Sequence, residues 1–123
     1  MIKNFDNSMP GVSSQQISKL ESILDGELPK DYVNYLKEYG FVSINGRDLY
    51  GLGHEKFFNT LKKTLELQQN FNLSKYFVVI ENLGIGGIYI MLNTYNGSIY
   101  EWSINGIEKK IYKSFETFLE NEF

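Results

Sequence analysis

Two short helical patterns in succession, each running into a glycine, restrict what this chain can fold into more than any other feature of its sequence. Ser13 stands three residues before Gln16, the spacing at which each side chain satisfies a backbone N–H that the helix start leaves unpaired. Ile17, Leu20 and Leu24 follow at helical spacing with Ile23 beside them, and Gly26 is expected to supply the left-handed stop. The spacing predicts a helix over about 13–25. Leu28-Pro29 then opens a second helix, because proline in the first turn gives up no useful N–H. Tyr32, Tyr35, Leu36 and Tyr39 form its apolar stripe up to Gly40, the expected end. Residues 1–12, with Met9-Pro10-Gly11, read as an irregular lead-in.

Such stripes need a surface to cover, and the rest of the chain supplies strands. Phe41 to Ile44 and Arg47 to Tyr50 flank Asn45-Gly46, a pair suited to a two-residue hairpin turn. Residues 54–70 return to helical spacing, with Phe57 or Phe58, Leu61, Leu65 and Gln68 on the inward stripe and Lys56, Lys62, Lys63 and Glu66 in solvent. The segments 76–80, 88–92 and 98–102 are rich in β-branched and aromatic residues and are separated by glycine-containing turns. Asn105-Gly106 precedes a further strand at 107–112, and Ser114 caps a last helix carrying Phe115, Phe118 and Leu119. At 123 residues the plan fits one α+β domain, 1–123. Its antiparallel sheet of about four to six strands packs against N-terminal, central and C-terminal helices.

The residue types exclude much chemistry. There is no cysteine and a single histidine, His54, so thiolate catalysis and two-histidine metal motifs are ruled out. Gly84-Ile85-Gly86-Gly87 is followed by strand-like residues and not by the helix that a phosphate-cradling loop requires, so it reads as a turn. Glu81 and Glu101, at strand ends, form a conceivable acid and base pair but read as solvated carboxylates. Lys109, Lys110, Tyr112 and Lys113 read as an edge strand guarded by lysine, because a net charge of −3 disfavours nucleic acid. No catalytic residue, cofactor or metal is expected. No apolar stretch has signal-peptide or membrane-span length, which points to a cytoplasmic chain that binds no membrane.

Aromatic residues make up 15% of the chain, a density that serves a core or a binding surface equally well. Strict alternation sends Phe77, Val79 and Glu81 to one face and Val78 and Ile80 to the other. Tyr89 and Met91 likewise oppose Ile90 and Leu92, and Ile99 and Glu101 oppose Tyr100 and Trp102. Two readings stand: a sheet covered on both faces, or one whose second face keeps an exposed groove of tyrosines near carboxylates.

Order and residues together resemble the SUKH superfamily, the Smi/Knr-like group. The resemblance rests on Gln16 to Glu21 running into Leu28-Pro29-Lys30-Asp31-Tyr32 and on to Tyr39-Gly40, on Asp48-Leu49-Tyr50-Gly51-Leu52, on Val79-Ile80-Glu81-Asn82, and on Thr94 to Trp102. Ser114 to Leu119 is similar to the family's closing helix. It covers about residues 13–120. What it implies is a bacterial immunity protein that neutralises a cognate toxin, in some cases a nuclease, encoded next door. The alternative it implies is a regulatory scaffold related to cell-wall regulators. A partner of that kind is expected to meet Tyr50, Tyr89, Tyr100 and Trp102 as aromatic anchors and Asp48, Glu81 and Glu101 as acidic contacts, with the chain a monomer or weak dimer.

Overall fold

The first helix starts and stops for local reasons. The computed structural model describes residue 2 and residues 5–123. Helix α1 (Ser14–Leu24) starts at the expected capping box: Gln16 N–H donates to Ser13 Oγ at 3.2 Å, and Ser13 N–H donates to Gln16 Oε1 at 3.0 Å. Its left-handed cap is Asp25 (φ 56°) and not Gly26, since a short polar side chain tolerates that conformation. Helix α2 (Lys30–Glu38) follows Pro29, which occupies the cap position.

Gly40 does not stop α2. It lies inside strand β2 (Tyr39–Ile44), and its role is close approach: a Cβ there would meet the Pro10 carbonyl oxygen at 2.6 Å and Gly53 Cα at 2.7 Å. The lead-in is also ordered as strand β1 (Asn7–Pro10), antiparallel to β2. Proline is tolerated there because β1 is an edge strand and the register shifts at Met9/Pro10. The expected hairpin joins β2 to β3 (Arg47–Leu49) through Asn45 (φ 50°) and Gly46 (φ 76°).

The central helix is shorter than its periodicity suggests. Helix α3 (Thr60–Phe71) begins at Thr60, because Phe58 takes a left-handed φ of 52° and Asn59 caps the helix by accepting from Lys62 N–H. The buried stripe is therefore Thr60, Thr64 and Leu67, whereas the expected Phe57 and Leu65 are exposed. Strands β4 (Phe77–Asn82), β5 (Ile88–Asn93), β6 (Ile99–Ser103) and β7 (Glu108–Tyr112) form an antiparallel meander, and helix α4 (Phe115–Glu122), capped by Ser114, closes it.

The α+β class stands, with the strands divided between two sheets, β1-β2-β3 and β4-β5-β6-β7. The sheets meet where Tyr50 N–H donates to the Ile80 carbonyl at 2.8 Å. Four buried hydroxyls complete this seam. Tyr32 donates to the Tyr50 carbonyl at 2.9 Å and Tyr35 to the Leu49 carbonyl at 3.1 Å. From α3, Thr60 donates to the Val79 carbonyl, and Thr64 accepts from Val79 N–H at 3.0 Å. Left unmet, each such backbone group would cost about 1–3 kcal/mol. Tyr32 of the Leu28-Pro29-x-x-Tyr32 motif, with Tyr35 one turn on, thus serves the join between sheets as well as the core.

Apolar side chains collect on both faces of the second sheet. On one, Val78, Ile80, Ile90, Leu92 and Ile99 pack with residues of α1, α2, α4 and the first sheet into one cluster. On the other, Phe77, Val79, Met91 and Trp102 pack with Tyr50 and with Leu67 of α3.

Candidate functional site

The second face of the β4-β7 sheet is only partly covered. Helix α3 packs on β4, and its two threonines are spent on Val79 there. Cross-strand register carries the same face outward in two rows, Asn82-Tyr89-Trp102-Glu108 and Val79-Met91-Tyr100-Lys110. Met91 is buried and Trp102 nearly so, whereas Tyr89 and Tyr100 are half-buried and Glu108 and Lys110 exposed. Ring contacts hold the tyrosines in place: Tyr89 lies 6.1 Å from Trp102, and Tyr100 lies edge-on to Phe77 at 5.2 Å. Asn96 donates to the Tyr100 hydroxyl at 3.1 Å. Rings fixed in this way present area with little rotamer entropy left to lose on binding.

Beside this face an open groove of about 310 Å³ runs between α3 and the segment before it, lined by Tyr50, Lys56, Phe58, Asn59, Lys62, Lys63 and Glu66. The left-handed backbone at Phe58 turns its ring into a stack with Phe41 at 5.0 Å and edge-on to Tyr50 at 5.8 Å. Lys63 pairs with Glu66 at 2.6 Å. The Glu66 hydrogen bond raises the Lys63 ammonium above its ordinary value, and the fields of Tyr89 and Tyr50 add to the rise. Burial raises the Tyr50 hydroxyl, with Lys63 opposing and Tyr89 and Asp48 adding. Lys63 thus lines the groove and also interacts electrostatically with Tyr89 of the aromatic rows. The first turn of α3 carries Lys62 and no acidic residue, so the positive end of the helix dipole reinforces the lysines.

Of the seven residues expected to meet a partner, the structure brings five to this side. Tyr50, Tyr89, Tyr100 and Trp102 join the second cluster, and strand alternation puts Asp48 with Tyr50. Glu81 and Glu101 lie on the opposite face, where register places Ile90 between them. The expectation that Glu81 shares a face with Phe77 and Val79 fails because a bulge between Val79 and Glu81 inserts Ile80 as an extra residue. Glu81 is 1% exposed, and its carboxylate is taken by Arg47. Glu101 is half-buried opposite Lys109.

The groove lysines were not singled out by sequence reasoning, which treated Lys56, Lys62 and Lys63 as a solvated face. The signal available was two adjacent lysines at a helix start, where cations are unfavourable. His54 packs its ring against Phe41 at 5.4 Å and Phe58 at 6.0 Å. Strand β7 does form the outer edge of its sheet, with Lys109 and Lys110 exposed. Among the described residues, no three His, Asp or Glu side chains are grouped to hold a metal ion, and no helix is long and apolar enough to cross a membrane.

A family model, SUKH_5, described as SMI1-KNR4 cell-wall, matches the chain over residues 2–123. No curated protein matches it.

Proposed function

Because the chain belongs to the SMI1-KNR4 family, within the SUKH group that its motifs resemble, we propose that it is a cytoplasmic immunity protein. It neutralises a cognate toxin by stoichiometric binding and not by catalysis. The observation that carries this reading is the half-covered aromatic face, where half-buried Tyr89 and Tyr100 pack with buried Trp102 and Tyr50. An interface core of this composition, ringed by Asp48, Glu108 and Lys110, has the anatomy of a protein-binding surface. A partner seated there would bury ~800 Å² on each side, a standard size for a specific complex.

The test is co-expression with the product of the adjacent gene. Growth is expected to be rescued by the native chain, and Tyr89→Ala with Tyr100→Ala is expected to weaken the complex on the order of 100-fold. Rescue that survives the double variant with unchanged affinity would remove this face from the interface.

A second reading, a regulatory scaffold, is favoured by the words cell-wall in the description of the matching family model. It uses the same face without inhibiting any toxin. An operon of housekeeping genes and a chain that rescues nothing but co-purifies with several cellular proteins would select it.

A further inference from the structure

The groove beside α3 differs in sign from the protein as a whole. The chain carries a net charge of −3, yet the groove is lined by three lysines against one glutamate. Among the described residues Lys63 pairs with Glu66, while no ion pair involves Lys56 or Lys62. Apolar surface lies among these charges: Phe58 in a strained left-handed backbone, stacked on Phe41, and the Tyr50 ring behind it. A volume of about 310 Å³ accommodates a few side chains. It is too open, and too short a basic tract, to follow a nucleic-acid backbone.

We propose that this groove seats an acidic segment of the partner polypeptide, with carboxylates on Lys56, Lys62 and Lys63 and an apolar side chain against Phe58. The proposal rests on the reading of the chain as a protein-binding module, and it supplies the chemistry of the partner that the buried Glu81 does not. Charge complementarity selects the occupant. Carboxylates entering the groove meet positive potential locally, whereas a basic segment would be repelled there and drawn to acidic surface elsewhere.

The experiment titrates isotope-labelled protein with a synthetic peptide of glutamates around one central phenylalanine, and in parallel with the same peptide bearing lysines. Amide shifts are expected at Tyr50, Phe58, Lys62, Lys63 and Glu66 with the glutamate peptide alone, weakening as salt is added. Replacing the three groove lysines together by glutamine is expected to weaken binding roughly tenfold or more, with unchanged melting temperature. A charge-matched control, Lys19→Gln with Lys37→Gln and Lys109→Gln, at exposed lysines that do not line the groove, is expected to leave binding unchanged. Equal binding of the lysine peptide, shifts elsewhere on the protein, an unchanged affinity in the triple variant, or tighter binding of single-stranded RNA or inorganic phosphate would overturn the proposal. Co-expression separates this result from the reading beneath it. Rescue by the native chain that the triple variant fully retains sinks the groove and leaves immunity standing. Failure of the native chain to rescue, with peptide binding intact, sinks immunity and leaves the groove.

Discussion

Arg47 holds Glu81 through two parallel hydrogen bonds, Nε to Oε2 and Nη2 to Oε1, each 2.8 Å long, and so ties the first sheet to the second. The same guanidinium reaches Glu122 at 2.9 Å and lies 4.5 Å from the Phe123 ring centroid, which brings the end of the last helix to the same point. Hydrogen bonding to Glu81 is the main cause that raises the Arg47 pKa further above its ordinary value. Removing Arg47 leaves a carboxylate buried without its partner. Arg47→Ala is expected to cost about 2–3 kcal/mol in urea denaturation, and Arg47→Met with Glu81→Leu to recover more than half of that. A single-variant cost below about 0.5 kcal/mol would place the pair with ordinary surface ion pairs.

The seam between the sheets depends on hydroxyls that no strand pairing replaces. Thr64→Val keeps the shape of the side chain but leaves Val79 N–H without an acceptor inside the core. A loss of about 1–3 kcal/mol is expected, with faster hydrogen exchange at the Val79 amide. Tyr32→Phe leaves the Tyr50 carbonyl short of one donor and is expected to cost about 1 kcal/mol. Stability in both variants equal to that of the native chain would mean that water serves the seam as well as the hydroxyls do.

Gly40 and Gly26 provide a matched contrast. An added Cβ at Gly40 would strike backbone on two sides, whereas at Gly26 the nearest atom is Thr94 Oγ1 at 3.9 Å. Gly40→Ala is expected to destabilise by about 2 kcal/mol or more, because neither β1 nor the Gly53 backbone can move freely. Gly26→Ala is expected to be neutral or slightly stabilising through the lost entropy of the unfolded chain. Thermal melts of the two variants decide it, and equal losses would refute the close-approach role of Gly40.

Acid should loosen the C-terminal helix first. The hydrogen bond from the Tyr112 hydroxyl, with Arg47 adding, lowers the Glu122 carboxyl below its ordinary 4.5. A carboxyl whose folded value is depressed binds protons more weakly in the native state than in the unfolded chain. Its contribution is therefore complete above the ordinary value and is lost as pH falls through it toward the folded one. Native stability is expected to decline over that acid range, and Glu122→Gln to flatten the decline while leaving the curve above it parallel. An identical acid limb in the variant would assign the decline to other carboxyls.

What could be read along the chain was whatever depends on neighbours in sequence. The capping box at Ser13 and Gln16, the Asn45-Gly46 turn, the strands between residues 76 and 112 and the cap at Ser114 all follow from local hydrogen bonding and side-chain period, and they form where expected. The motif that signalled the family was legible for the same reason. Where several local signals competed, the outcome was less readable: Gly26 could have capped α1, but Asp25 took the left-handed position first.

Contacts between residues distant in sequence settled the rest. Pro10 could enter a strand only because β2 offered an edge, and α3 could start only after Phe58 had turned against Phe41 and Tyr50. The bulge at Ile80 reversed the face of Glu81 and took it away from the aromatic residues of the expected site. That single inserted residue is invisible to alternation, since a period of two carries no memory of where pairing slips. Sequence alone therefore determined most of the elements and the family, but not strand β1 or where α3 begins. Tertiary structure decided which side chains face one another, because burial and strand register are properties of the assembled core and not of any segment.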